Sequence, residues 1–129
     1  MGSPLSVLLL EDNPDDAELL VFELRRAGFD PRADRVDTEA DLLNRLDLDL
    51  DIVLADYTLP QFSAPQVLEV LKQRKIDVPV IVVTGYPSEQ SRRAALAAGA
   101  AVFLSKPFAA SALMAAVQSG LAEGRDARA

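Results

Sequence analysis

The chain has 129 residues, 50% of them hydrophobic and 26% charged, with no cysteine, no histidine and a net charge of −7. One domain with one ordinary core is expected at this length. The composition excludes disulfide scaffolds, thiolate and imidazole metal sites and Cys or His nucleophiles, and an acidic surface argues against direct contact with nucleic acid or anionic membrane.

In chain order, Met1 to Pro4 carries no basic stretch. The apolar run Leu5 to Leu10 is interrupted by Ser6 and followed by acids, unlike a secretion signal. No run approaches the ~20 apolar residues that a membrane span requires, so a cytoplasmic location is expected. Val7-Leu8-Leu9-Leu10 predicts a first strand. Asn13, Pro14, Asp15 and Asp16 predict a helix start, with Asn13 as cap and the acids at the positive end of the dipole. That helix should run to about Ala27, with Leu19, Leu20, Phe22, Glu23 and Leu24 giving its apolar stripe, and stop at a left-handed Gly28. A weaker, polar strand near Arg32 to Val36 suits a sheet edge. Thr38-Glu39-Ala40-Asp41 resembles a capping box and opens a helix to about Leu46.

Ile52-Val53-Leu54-Ala55, Val80-Ile81-Val82-Val83 and Ala101-Val102-Phe103-Leu104 predict three further strands. Like the first they do not alternate, as expected of strands buried on both faces of a parallel sheet. Helices are expected from about Pro65 to Arg74, from Ser88 to just before Gly99, and from after Phe108 to about Gly120. A frayed tail over 122–129 is expected to complete a single domain whose core spans about 5–121. Alternation of strand and helix makes this a doubly wound α/β fold.

The chemistry gathers at strand ends. Glu11 and Asp12 follow the first strand, Asp56 the third, Thr84 the fourth, and Lys106 comes shortly after the fifth. In an open parallel sheet these ends share one edge, where ligands bind. Three carboxylates there repel one another, by roughly 3 kcal/mol per pair at about 5 Å and an effective dielectric near 20. An all-oxygen site suits Mg²⁺, Mn²⁺ or Ca²⁺ rather than zinc. Mg²⁺ typically joins one or two carboxylates to a phosphate. A lysine amine and a threonine hydroxyl would serve the remaining phosphate oxygens, and a carboxylate can itself take up the phosphoryl group.

Glu11-Asp12, Asp56, Thr84 and Lys106-Pro107 together resemble the motif set of the receiver domain of two-component response regulators, over a span from Val7 to about Leu121. The resemblance implies a flavodoxin-like receiver fold, a five-stranded parallel sheet in the order 2-1-3-4-5, the order the general rule for such folds gives for a member of this family. It implies transfer of a phosphoryl group from a histidine kinase or phosphotransfer domain to Asp56. It implies a Mg²⁺ or Mn²⁺ site made by Asp12, Asp56 and the Thr58 backbone carbonyl, with Glu11 acting through water. Lys106 would pair with a phosphate oxygen, Thr84 would move to hydrogen-bond it, and Phe103 stands where the family has its aromatic switch residue. The Lys106–Pro107 bond is often cis in the family.

Two places depart from the family pattern. Ala64 stands where a glycine is common, followed by Pro65, so a different path is expected for the loop Gln61 to Ala64. Pro87 should stiffen the loop after Thr84, and Tyr86 stands where side chains of this family tune water access to the phosphate. The chain is expected to be a signalling phosphoacceptor rather than an enzyme, catalysing only its own phosphorylation and dephosphorylation. A homodimer or partner face is expected on the fourth helix, fifth strand and last helix, which carry Arg92, Arg93 and the Ala-rich turns Ala94 to Ala98 and Ala109 to Ala116. The alternatives are a degenerate receiver acting as an interaction module, and an aspartyl-phosphate phosphatase. A phosphatase of the haloacid-dehalogenase type would need an acid where Thr58 stands. A flavin carrier of the same fold would not place Glu11-Asp12-Asn13 in its phosphate loop.

Overall fold

In the computed structural model every apolar run forms a strand, and each strand is followed by a helix, the first four of which return the chain to the same end of the sheet. The structure describes residues 2–46, 50–57, 63–106 and 110–128, the side chains of 110 and 123–128 apart. The elements are β1 (Ser3–Leu10), α1 (Pro14–Arg26), β2 (Phe29–Val36), α2 (Glu39–Arg45), β3 (Ile52–Asp56), α3 (Ala64–Gln73), β4 (Val80–Thr84), α4 (Glu89–Ala97), β5 (Val102–Ser105) and α5 (Ala110–Arg128). All pairings are parallel, in the order β2-β1-β3-β4-β5. The sheet places the carboxyl ends of β1 and β3 side by side at its centre, with Leu10 opposite Ala55.

Non-alternating strands arise because both faces are covered. Leu8, Leu10, Val53, Ala55, Val80 and Val82 pack with Leu42 of α2, Val67, Leu68 and Leu71 of α3, and Ala95 of α4. Val7, Leu9, Ile52, Leu54, Ile81 and Val83 pack with Ala17, Leu20 and Leu24 of α1 and with Leu113, Ala116 and Val117 of α5. Neighbouring residues of one run thus serve opposite cores, each buried aliphatic side chain contributing about 1.5–3 kcal/mol.

The helix ends follow local chemistry. The Asn13 side chain accepts from the Asp15 and Asp16 N–H groups at the start of α1, and the Thr38 hydroxyl accepts from Asp41 N–H at the start of α2. Ser88 and Ser91 cap α4 reciprocally. Gly28 ends α1 at φ +101°, as the sequence predicts, and Gly99 ends α4 at φ +113°. Lys75 does the same for α3 at φ +57°, its N–H bonded to Lys72 O and the Ile76 N–H to Leu71 O.

Some boundaries and burials differ from expectation. β1 and β2 both begin earlier, Ser3 pairing with Phe29. On α1 Ala17, Leu20 and Leu24 are buried and Val21 packs beside them, while Leu19 and Phe22 are more than half exposed. The expected stripe is therefore narrower, and Phe22 instead lies under the Arg26 guanidinium. α5 does not stop near Gly120. There the helix comes so close to the sheet that a Cβ would stand 3.3 Å from Ile52 Cδ1 and 3.7 Å from Pro79 Cβ. This glycine marks a close approach, not a helix end. No described helix is long and apolar enough to cross a membrane.

Candidate functional site

The carboxyl edge of the sheet brings together most of the residues singled out by sequence. Asp56 is the last residue of β3 and Thr84 the last of β4. Glu11 and Asp12 lie in the turn between β1 and α1, and Lys106 directly follows β5. The Lys106 N–H donates to the Thr84 carbonyl at 2.7 Å, which ties the ends of β4 and β5. Its ammonium stands 3.4 Å from Asp56 Oδ2 and 3.5 Å from Glu11 Oε2. Both distances exceed the 2.7–2.9 Å or so of a tight charge-assisted bond. The lysine thus straddles two carboxylates without committing to either.

Glu11 is 1% exposed. Its Oε1 accepts from the Asn13 N–H at 3.2 Å. Burial pushes its carboxyl up to about 7. The Asn13 N–H opposes this, and the neighbouring Asp12 and Asp56 add to it. Both neighbouring acids therefore act on Glu11. Asp12 itself is exposed. Among the described residues no three acids are gathered into a ready-made ion cluster, and Glu11 and Asp56 share Lys106. The donor set nevertheless fits a divalent cation: hard oxygen ligands, mutually repelling, at the open edge of the sheet. Thr58, whose carbonyl the resemblance adds to that set, and Pro107 and Ala109 lie outside the described residues, as do Leu59 to Phe62.

Thr84 is fully buried, and its hydroxyl accepts from the Tyr86 N–H at 3.0 Å. Tyr86 is 85% exposed beside it. Phe103 is half-buried in β5 and meets the Tyr57 ring edge-on, with centroids 6.4 Å apart and planes at 85°. A groove of about 350 Å³ opens beside Phe103, lined by Pro87, Ser88, Glu89, Arg92 and Ser105. Ala64 is fully buried as the first residue of α3. Its φ is not positive, so glycine is not required there. The Gln66 side chain accepts from the Ser63 N–H at 2.8 Å and fixes the helix start.

Two residues of the site were not singled out. Tyr57 follows Asp56, where an aromatic directly after a strand end is the available signal. Arg35, from β2, donates to the Glu11 carbonyl at 3.1 Å. Its signal is only its place one residue before the end of a polar strand.

Comparison with known proteins agrees with this arrangement. The family model described as the response regulator receiver domain matches residues 7–118. The chain is 37% identical over 121 residues to the sensory transduction protein RegX3 of Mycobacterium tuberculosis strain H37Rv, covering 94% of this chain and 52% of that protein. It is 32% identical over 116 residues to the phosphate regulon transcriptional regulatory protein PhoB of Klebsiella pneumoniae, covering 88% and 50%. It therefore spans about half the length of these relatives. The crystal structure of FixJ-N superposes with a TM-score of 0.81 at 27% identity, covering 92% of this chain and 94% of that one. A response regulator receiver domain protein from Clostridium thermocellum superposes at 0.82 with 20% identity, over 95% and 98% of the two chains, and shares the fold. With a receiver-domain match over most of its length, the five-stranded order β2-β1-β3-β4-β5 and relatives that are response regulators, the chain belongs to the response regulator receiver domain family of two-component signalling.

Proposed function

We propose that this chain is a single receiver domain that accepts a phosphoryl group on Asp56 from the phosphohistidine of a histidine kinase or phosphotransfer domain. The observation that carries this reading is the meeting of Asp56, Glu11 and Lys106 from three strand ends, with Lys106 Nζ within 3.5 Å of both acids. An Asp56 oxygen attacks phosphorus, the phosphorus–nitrogen bond breaks, and its electron pair leaves with the imidazole. Lys106 then exchanges its contact with the Asp56 carboxylate for one with a phosphoryl oxygen. Asp12, Asp56 and the Thr58 carbonyl, with Glu11 through water, would hold Mg²⁺ or Mn²⁺, which supplies charge neutralisation for the incoming phosphoryl group.

Phosphate on Asp56 adds negative charge and acceptor oxygens beside Thr84. The Thr84 hydroxyl turns from the Tyr86 N–H toward it, and Phe103 repacks against β4 and α4. The output face is α4, β5 and α5. It carries Arg92 and Arg93, both paired with Glu89, and the partly exposed Leu96 and Met114. A partner or a second copy would dock there. The net charge of −7 disfavours direct nucleic-acid contact by this domain. Its place of action would be the cytoplasm.

Incubation with acetyl phosphate and Mg²⁺ tests the reading. One phosphate should be incorporated per chain, and none in Asp56→Asn, which keeps size but removes the nucleophilic charge. Incorporation at the wild-type level in Asp56→Asn would refute the assignment.

A further inference from the structure

The turn carrying Glu11 and Asp12 is tied at its root to the edge strand β2. The Glu11 N–H donates to the Val36 carbonyl at 3.1 Å and extends the β1–β2 ladder by one bond. The Glu11 carbonyl, where the ladder ends, accepts from Arg35 Nη1 at 3.1 Å. The same nitrogen stands 3.6 Å from Asp37 Oδ2, so the guanidinium also faces a carboxylate just past the end of its own strand.

That carbonyl belongs to the peptide joining Glu11 to Asp12. A peptide is planar, so fixing the oxygen also fixes the Asp12 N–H and the direction in which the Asp12 Cα leaves it. Arg35 comes from one edge strand and Lys106 follows the other. The two cations flank the acids, but their tasks differ. Lys106 faces carboxylate oxygens, whereas Arg35 holds a backbone oxygen. A guanidinium suits this task because each terminal nitrogen carries two N–H donors, so one nitrogen can hold a carbonyl and still face a carboxylate. The Arg35–Asp37 pair is more than a third exposed on both sides, so as a surface ion pair it contributes little to stability.

We propose that Arg35 is a positioning residue for the acid pair: its hydrogen bond to the Glu11 carbonyl holds the Glu11–Asp12 peptide so that Asp12 is presented to a divalent cation. This rests on the reading that Asp12 and Asp56 hold Mg²⁺.

The test compares Arg35→Ala, Arg35→Lys and the charge control Arg45→Ala, whose arginine pairs with Asp34 instead. Amide exchange at residues 12 and 13 is measured in the metal-free protein, and Mg²⁺ affinity by titration of amide NMR shifts. Arg35→Ala should speed exchange at both amides and weaken Mg²⁺ binding about tenfold, the lower end of what loss of a ligand-orienting contact costs. Arg35→Lys should recover part of both effects, and Arg45→Ala should match the wild type. Unchanged or tighter Mg²⁺ binding in Arg35→Ala overturns the proposal, because Arg35 would then act only as a repelling charge. Equal weakening in Arg45→Ala overturns it in favour of a general field. If the wild type shows no Mg²⁺-dependent shift, the reading of the site fails. Exchange in metal-free Arg35→Ala still judges the loop-holding role, and unchanged exchange refutes it.

Discussion

Glu11→Gln isolates the electrostatic cost of the buried acid. In the folded protein the Glu11 carboxyl is raised from 4.5 to about 7 by burial, with Asp12 and Asp56 adding to the effect and the Asn13 N–H opposing it. The folded state therefore binds the proton more tightly than the unfolded chain does. Stability is fully present below pH 4.5 and is lost as the pH rises toward 7, because the unfolded state releases its proton first. At about 1.4 kcal/mol per pH unit, the whole window is worth about 3 kcal/mol, of which about 2 kcal/mol falls between pH 5 and 7. Glutamine keeps the shape and an acceptor for the Asn13 N–H but cannot ionise. It forfeits the 3.5 Å contact with Lys106.

The assay is thermal or urea unfolding of the metal-free wild type and Glu11→Gln from pH 5 to 8. The rest of the chain is common to both proteins, so the difference between the two profiles reports Glu11 together with its coupling to Asp12 and Asp56. That difference should move in favour of Gln by about 2 kcal/mol between pH 5 and 7, or roughly 6–10 °C in Tm for a domain of this size. Parallel profiles would refute the reasoning, because the carboxyl would then be ionised at no cost.

Three further outcomes test the fold and the switch. Lys75→Gly relieves a left-handed residue at the end of α3 and should raise stability by up to about 1 kcal/mol in urea unfolding, the strain relieved exceeding the added chain entropy; a loss would contradict this. Gly120→Leu forces a side chain against Ile52 and Pro79 and should cost about 1–3 kcal/mol, whereas a helix-ending glycine on a frayed segment would tolerate it. Thr84→Ala should leave beryllofluoride-induced amide shifts in the turns after β1 and β3 but remove those in α4 and β5; shifts persisting in α4 and β5 would mean that Thr84 does not carry the signal.

The sheet is legible in the sequence because burial on both faces demands unbroken apolar runs, and few other environments do. Val80 to Val83 shows the rule, its alternate residues serving the two cores. Legibility fails where only one side of an element is buried. In β2 just Phe29, Pro31 and Val36 are buried, so its first residues read as loop. In α1 the apolar stripe is counted too wide, because Leu19 and Phe22 sit at the stripe's flank and face outward. Gly120 carries two opposite meanings, helix end or close approach. Only the position of Ile52 beneath it decides between them.

The site divides along a similar line. Residues that act through side-chain chemistry, such as Asp56 and Lys106, announce themselves by type and by their place at strand ends. Residues that act through geometry do not. Arg35 looks like any charged residue on an exposed edge strand, and its partner is a backbone oxygen that no sequence displays. The raised carboxyl of Glu11 is hidden for a related reason. Its cause is burial, with Asp12 and Asp56 adding to it, and burial depends on how the folded chain surrounds one side chain. An acid at the same place in the sequence but left open to water would keep its ordinary affinity for protons. The raised proton affinity of Glu11 is therefore a property of the folded edge and not of the motif, which is why a pH profile reads it and a sequence does not.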